Sequence, residues 1–206
     1  MEFLWEPTQK IRESVLKQGK EVFAAHQEEV FRAIRVVCRC SDLVESERQW
    51  FGEPDESGER CVDGMRALKD LKMVLEKPEQ YLGEELPLQD FLRAYVNSLL
   101  ETSSVDNTAE QMVLWFQKKQ YTGCQAMQAY IYLLGLHSIG CTLVKKPDFF
   151  ERVLPVSVLF FFESIIPDGG RKAYRYFSDR LLEELEKKRT AYMVEADKKL
   201  RKMQEL

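Results

Sequence analysis

An all-α fold, a single-domain antiparallel bundle of six to eight helices over residues 1–206, is predicted by three features of the sequence. Residues 124–166 are almost free of charge, broken only by Lys145, Lys146, Asp148, Glu151, Arg152 and Glu163. Two long amphipathic segments, 7–40 and 170–206, flank this stretch and carry apolar stripes suited to wrapping it. Between residues 86 and 140, three segments of helical period follow one another with short polar connections, the pattern of a bundle. A short α-solenoid is the alternative. The sequence shows no repeat period, and this favours the bundle.

Taken in order, Pro7 suits the first turn of a helix. From there Ile11, Val15, Gly19, Val22, His26, Val30, Ile34 and Val37 recur at three or four residues, predicting one stripe to residue 40. Gly19 on that stripe marks a close backbone approach or a kink. His26 reads as a core or boundary histidine, and Arg32, Arg35 and Arg39 as a solvated face. Residues 41–64 lose the period. They hold eight acids against two bases, with Gly52, Pro54, Ser57 and Gly58 among them, and predict an acidic loop. Trp50 and Phe51 at its edge either plug onto the core or wait for a partner.

Met65, Leu68, Leu71 and Leu75 predict a short helix closed by Pro78. Pro87 opens the next, with Leu88, Phe91, Leu92, Tyr95, Val96, Leu99 and Leu100 on the helical template. Asn107, with Glu110 three residues on, suggests a capping box for a helix bearing Met112, Val113, Trp115 and Phe116, ended by Gly123. The charge-poor stretch then predicts two buried helices around a turn at 145–148. Residues 153–162 are rich in β-branched and aromatic side chains, yet the helical context makes them helix. Pro167, Asp168, Gly169 and Gly170 predict a turn. The last segment places Tyr174, Phe177, Leu181, Leu185, Tyr192, Ala196, Leu200 and Met203 on one stripe. Such a helix is about 50 Å long, so its end, about residues 190–206, is expected to project.

The net charge of −4 gives no global attraction to nucleic acid or anionic lipid. Charge is nonetheless segregated, because residues 171–206 carry eleven bases against seven acids. Five cysteines, most of them within apolar helical pattern, read as reduced thiols. The first ten residues lack a basic region followed by an apolar core, so no cleavable leader is expected. No run approaches the roughly 20 apolar residues of a bilayer span. The expectation is an intracellular protein, cytoplasmic or in an organelle without a recognisable presequence.

No catalytic, phosphate-binding or metal-binding signature is present, and no cofactor is expected. His137 and Cys141 lie four apart on one helix, the spacing at which a base can reach a thiol, but in an apolar segment that favours the neutral thiol. Cys38 and Cys40 point about 200° apart and cannot share an ion. The expected function is that of a non-enzymatic structural or adaptor subunit binding a protein partner or a second copy of this chain. Its expected contact residues are Trp50, Phe51, Tyr192, Lys198, Lys199, Leu200, Arg201, Lys202 and Met203. One alternative is an enzyme or ligand-binding bundle with a site between the central helices. A second is an adaptor for nucleic acid or a membrane surface through the basic C-terminal segment, which the interleaved acids argue against for nucleic acid.

Overall fold

The computed structural model describes residues 6–46, 51–54, 60–62 and 64–145. Among them are seven helices: α1 (Glu6–Ala25), α2 (Gln27–Ser46), α3 (Gly64–Glu76), α4 (Pro78–Leu82), α5 (Gln89–Thr102), α6 (Val105–Lys119) and α7 (Gly123–Lys145). The all-α expectation holds, with the addition of one short ribbon. Residues 146–206 lie outside the described residues, and with them the second central helix, the run at 153–162 and the long C-terminal segment.

Helix α7 is the hub. Its residues 126–136 are all buried, eleven in succession, so no face of the helix meets water there. A helix that is apolar on every side must be surrounded, and α1, α2, α3, α5 and α6 all pack against this one. The one polar side chain in the run, Gln128, sends its Nε2 to the Glu29 carbonyl at 3.0 Å, which removes the cost of burying an amide. Close approach on two sides depends on missing side chains. A Cβ at Gly135 would lie 2.5 Å from Val37 Cγ1, and one at Gly140 would lie 3.0 Å from Leu99 Cδ2. Glycine thus lets α2 and α5 come nearer to α7 than alanine would permit.

The segment read as one helix over 7–40 is two, interrupted at His26 and prolonged to Ser46. Backbone hydrogen bonds cross the interruption, His26 N to Val22 O at 2.9 Å and Val30 N to His26 O at 3.1 Å. The irregularity is therefore a single residue, and it falls at His26 rather than at Gly19, which is buried within α1. His26 is itself exposed and sits 3.5 Å from Glu29, correcting its reading as a core or boundary residue. Local pairing with a carboxylate in the first turn of α2 explains its outward position.

The expected acidic loop is also corrected. Its first residues extend α2, and β1 (Phe51–Pro54) pairs antiparallel with β2 (Arg60–Val62), in the register Phe51 to Val62 and Pro54 to Arg60. Pro54 is tolerated because each strand of a two-stranded ribbon is an edge. Pro78 both closes α3 and opens α4 from its first position, and Gly83 (φ +75°) ends that short helix.

Two members of the arginine face of α2, Arg32 and Arg39, are anchored as well as partly solvated. Glu84, between α4 and α5, accepts from Arg32 Nε at 3.2 Å and from Arg39 Nη1 at 2.9 Å, while Arg32 Nη2 donates to the Glu85 carbonyl. One carboxylate thus ties residues seven apart on α2 to the α4–α5 connection. Gln89 Nε2 adds a bond to the Leu75 carbonyl at 2.7 Å, fixing the start of α5 against the end of α3.

Candidate functional site

Helices α5 and α6 form an open concave surface. Their connection is locked by hydroxyl groups. Ser104 caps α6, its Oγ accepting from Asn107 N at 3.3 Å, so the cap stands three residues before the Asn107 that the sequence suggested. Serine at that place satisfies one of the free amides of the first turn, which leaves Asn107 inside the helix. Thr102 Oγ1 donates to Ser98 O at 2.9 Å and accepts from Ser104 N at 3.2 Å. Ser98 Oγ reaches Gln111 Oε1 at 2.7 Å and Thr108 Oγ1 at 3.3 Å, so the two helices are bonded directly through side chains.

Three of the four residues that cap these helices are strained. Leu88 before α5, Ser103 after it and Gln120 after α6 all take left-handed backbone, with φ between 48° and 53°. Side chains other than glycine pay about 1–2 kcal/mol for that conformation. Gly123, also at positive φ, begins α7 rather than ending α6 as predicted.

Beside the hydroxyl lock lies a groove of about 670 Å³. Ala94, Met112, Leu114 and Trp115 supply its apolar lining, and Asp90, Arg93, Glu101 and Lys118 bring charges of both signs. Met112 is buried, whereas Leu114 is 64% exposed, the most exposed of the large apolar side chains described. Trp115 is held in place: its indole Nε1 donates to Tyr121 Oη at 3.4 Å, and Lys119 Nζ stands 5.3 Å from the ring centroid. Tyr121 is in turn edge-on to Phe116 and Phe91, with centroids 5.6 and 6.1 Å apart. An aromatic ring fixed this way offers apolar area to a ligand at little cost in conformational freedom.

Of the contact residues expected from sequence, Phe51 starts β1, and its side chain is outside the description. Trp50, Tyr192, Lys198, Lys199, Leu200, Arg201, Lys202 and Met203 lie outside the described residues altogether. The groove residues were not singled out. In the sequence pattern Trp115 belongs to the apolar stripe of its helix, and Leu114 does not. A signal existed, since Leu114 falls on the polar side of α6, in line with Glu110, Gln111, Gln117 and Lys118.

Reactive groups elsewhere differ in surroundings. Burial pushes the Cys40 thiol up to about 12 and the Cys124 thiol up to about 11, with the Glu29 charge adding to the second. Both therefore stay protonated. Cys141 is half-buried, with its Sγ 3.5 Å from His137 Nε2, so the contact expected from their spacing is made. Tyr95, Tyr130 and Tyr132 are fully buried, and desolvation raises each phenol above its ordinary range. Among the described residues no group of three or more His, Cys, Asp or Glu is placed to hold a metal ion, and no helix is long and apolar enough to cross a membrane. Comparison of the chain with protein-family models, with curated proteins and with solved structures gives no match.

Proposed function

We propose that this chain is a non-enzymatic adaptor, a single-domain helical bundle that binds a protein partner through the α5–α6 groove. The observation supporting this reading is the combination of an exposed Leu114 with an immobilised Trp115 at the edge of an open groove. Tryptophan in a defined recess, ringed by polar groups, is the commonest kind of energetic centre in protein interfaces. The occupant best suited is an amphipathic helix, which would set apolar side chains against Ala94, Met112 and Trp115 and polar ones against the charged rim. The basic end of the chain, from Tyr192 through Lys198, Lys199, Leu200, Arg201, Lys202 and Met203, is proposed as a second contact, along with the Trp50–Phe51 edge.

Affinity capture of three forms tests the reading: the full chain, Leu114→Asp, and a chain ending after Thr190. A partner of defined stoichiometry recovered with the full chain and lost with Leu114→Asp places binding in the groove. Loss only with the shortened chain moves it to the C-terminal segment. A monomer that recovers no partner in any form overturns the adaptor reading.

A further inference from the structure

Three contacts set the two walls of the α5–α6 groove in register. Thr102 Oγ1 lies 3.2 Å from Thr108 Oγ1, Ser98 Oγ reaches Gln111 Oε1 at 2.7 Å, and the Phe91 and Tyr121 rings are 6.1 Å apart. One end of the groove is therefore at Glu101 and Gln111, and the other at Asp90, Arg93 and Lys118. Leu114 stands about midway, 64% exposed, beside the recess lined by Ala94, Met112 and Trp115. A protruding apolar side chain next to an apolar recess has the shape of a self-complementary contact. Charge follows the same plan. Glu101 on α5 and Lys118 on α6 occupy opposite ends and opposite walls, and so do Arg93 on α5 and Glu110, one turn before Leu114 on α6. All four are exposed, and none makes an ion pair among the described residues.

We propose that the occupant of the α5–α6 groove is a second copy of this chain, docked face to face about a two-fold axis through the middle of the groove. This inference rests on the groove being a protein-binding surface and names the partner. A two-fold rotation exchanges the ends and the walls together. It lays Glu101 of one copy on Lys118 of the other, and Arg93 on Glu110, with each pairing made twice. Asp90, the remaining charged residue of the lining, falls beside Asn107 and meets no opposite charge. The helix that enters each groove is α6 of the other copy, which carries Leu114 onto the apolar lining. Burial of that apolar surface drives the association, and the charge pairs fix its direction.

Sedimentation velocity of the full-length chain over a dilution series, in low and high salt, tests the proposal. A dimer is expected, weakened by salt and by Leu114→Asp. Glu101→Lys and Lys118→Glu, each alone, should raise the dimer dissociation constant by about tenfold or more through like-charge contacts, with melting temperature unchanged because both residues are exposed. An equimolar mixture of the two variants should regain the dimer, since in the mixed pair every reversed charge faces its opposite. A chain carrying both changes should regain it as well. An interface in which residues 101 and 118 do not meet would show neither recovery. A monomer at every concentration, a dimer indifferent to both variants, or a mixture that stays monomeric overturns the proposal. If the chain is monomeric yet captures a different protein that Leu114→Asp loses, the groove still binds a partner and the second copy alone is excluded.

Discussion

The seam where α2 and α5 press on α7 and the outer pairing of α5 with α6 solve the same problem, joining two helices, by opposite means. At the seam, apolar side chains meet and glycine removes the side chain that would keep the backbones apart. Between α5 and α6, hydroxyls and an amide bond across, and Ser103 in the connection takes left-handed backbone without being glycine. The first join is tightest at Gly135, where added volume meets Val37, and it is lined by apolar side chains. The second leaves a groove open to solvent. Scaffold and contact surface are therefore separable, and the two regions answer differently to the same perturbation.

Alkaline pH is expected to have the largest effect, through the interior. Cys40 has an ordinary value of 9.0 and is raised to about 12 by burial, and Tyr95, Tyr130 and Tyr132 are raised above an ordinary 10.0. Each group is neutral when folded, so the native state holds protons that the unfolded chain releases. The stability they contribute is complete below about pH 9 and declines as pH rises from there toward the folded values. Each group removes about 1.4 kcal/mol per pH unit within its window. By pH 11 Cys40, over two units, and the three tyrosines, over one unit each, together remove about 7 kcal/mol, comparable with the whole stability of many domains. Circular dichroism and phenolate absorbance should change together in one transition. Phenolates appearing near pH 10 while the helices persist would show that water reaches the seam.

Adding one methyl group tests the seam more locally. Gly135→Ala meets both methyls of Val37, at 2.5 and 2.7 Å, and valine is stiff. The expected loss is about 1–3 kcal/mol, lessened by up to about 1 kcal/mol of helix propensity. Gly140→Ala meets the flexible end of Leu99 and the Tyr95 oxygen at 3.0 and 3.1 Å, and should come out near neutral. Val37→Ala combined with Gly135→Ala should recover most of the loss in a double-mutant cycle. Additive effects would mean that the close approach does not govern the α2–α7 join.

The seam was also the more legible of the two regions. Period and charge density alone marked 124–144 as buried helix, because a helix apolar on all sides has only one environment open to it. Short-range chemistry was less readable. Asn107 and Ser104 are both competent caps, and which of them serves depends on where Ser103 turns the chain. The arginines of α2 look like a solvated face until Glu84, 45 residues away from Arg39, folds back onto them. Phe51 and Val62 pair across a segment whose acids, glycines and proline all read as loop. The groove was the least visible, since Trp115 fits an apolar stripe, and only the position of Leu114 departs from the helical pattern.

On the α5–α6 side the expected changes are smaller and of the opposite sign. Ser103→Gly relieves a left-handed residue at φ 48° and keeps the cap bond from its amide to Leu99 O, 2.9 Å. Stability should rise by about 1 kcal/mol. A loss of stability would mean that the serine side chain contributes more than its backbone strain costs.

The smallest effect on folding is expected from Leu114→Asp, and this is what makes it the sharpest test of the separation between scaffold and surface. Leu114 is 64% exposed and takes no part in the hydroxyl lock or in the Trp115–Tyr121 pairing, so melting should move by no more than about 0.5 kcal/mol. The same change puts a carboxylate at the lip of an apolar recess, where any apolar group docking beside Trp115 would have to strip it of water. Binding should then fall by a factor of ten or more, about 1.4 kcal/mol, with the scaffold intact. If Leu114→Asp instead melts the protein as Gly135→Ala does, the α5–α6 face belongs to the core. The distinction between a closed seam and an open groove would then fail at the residue chosen to represent it.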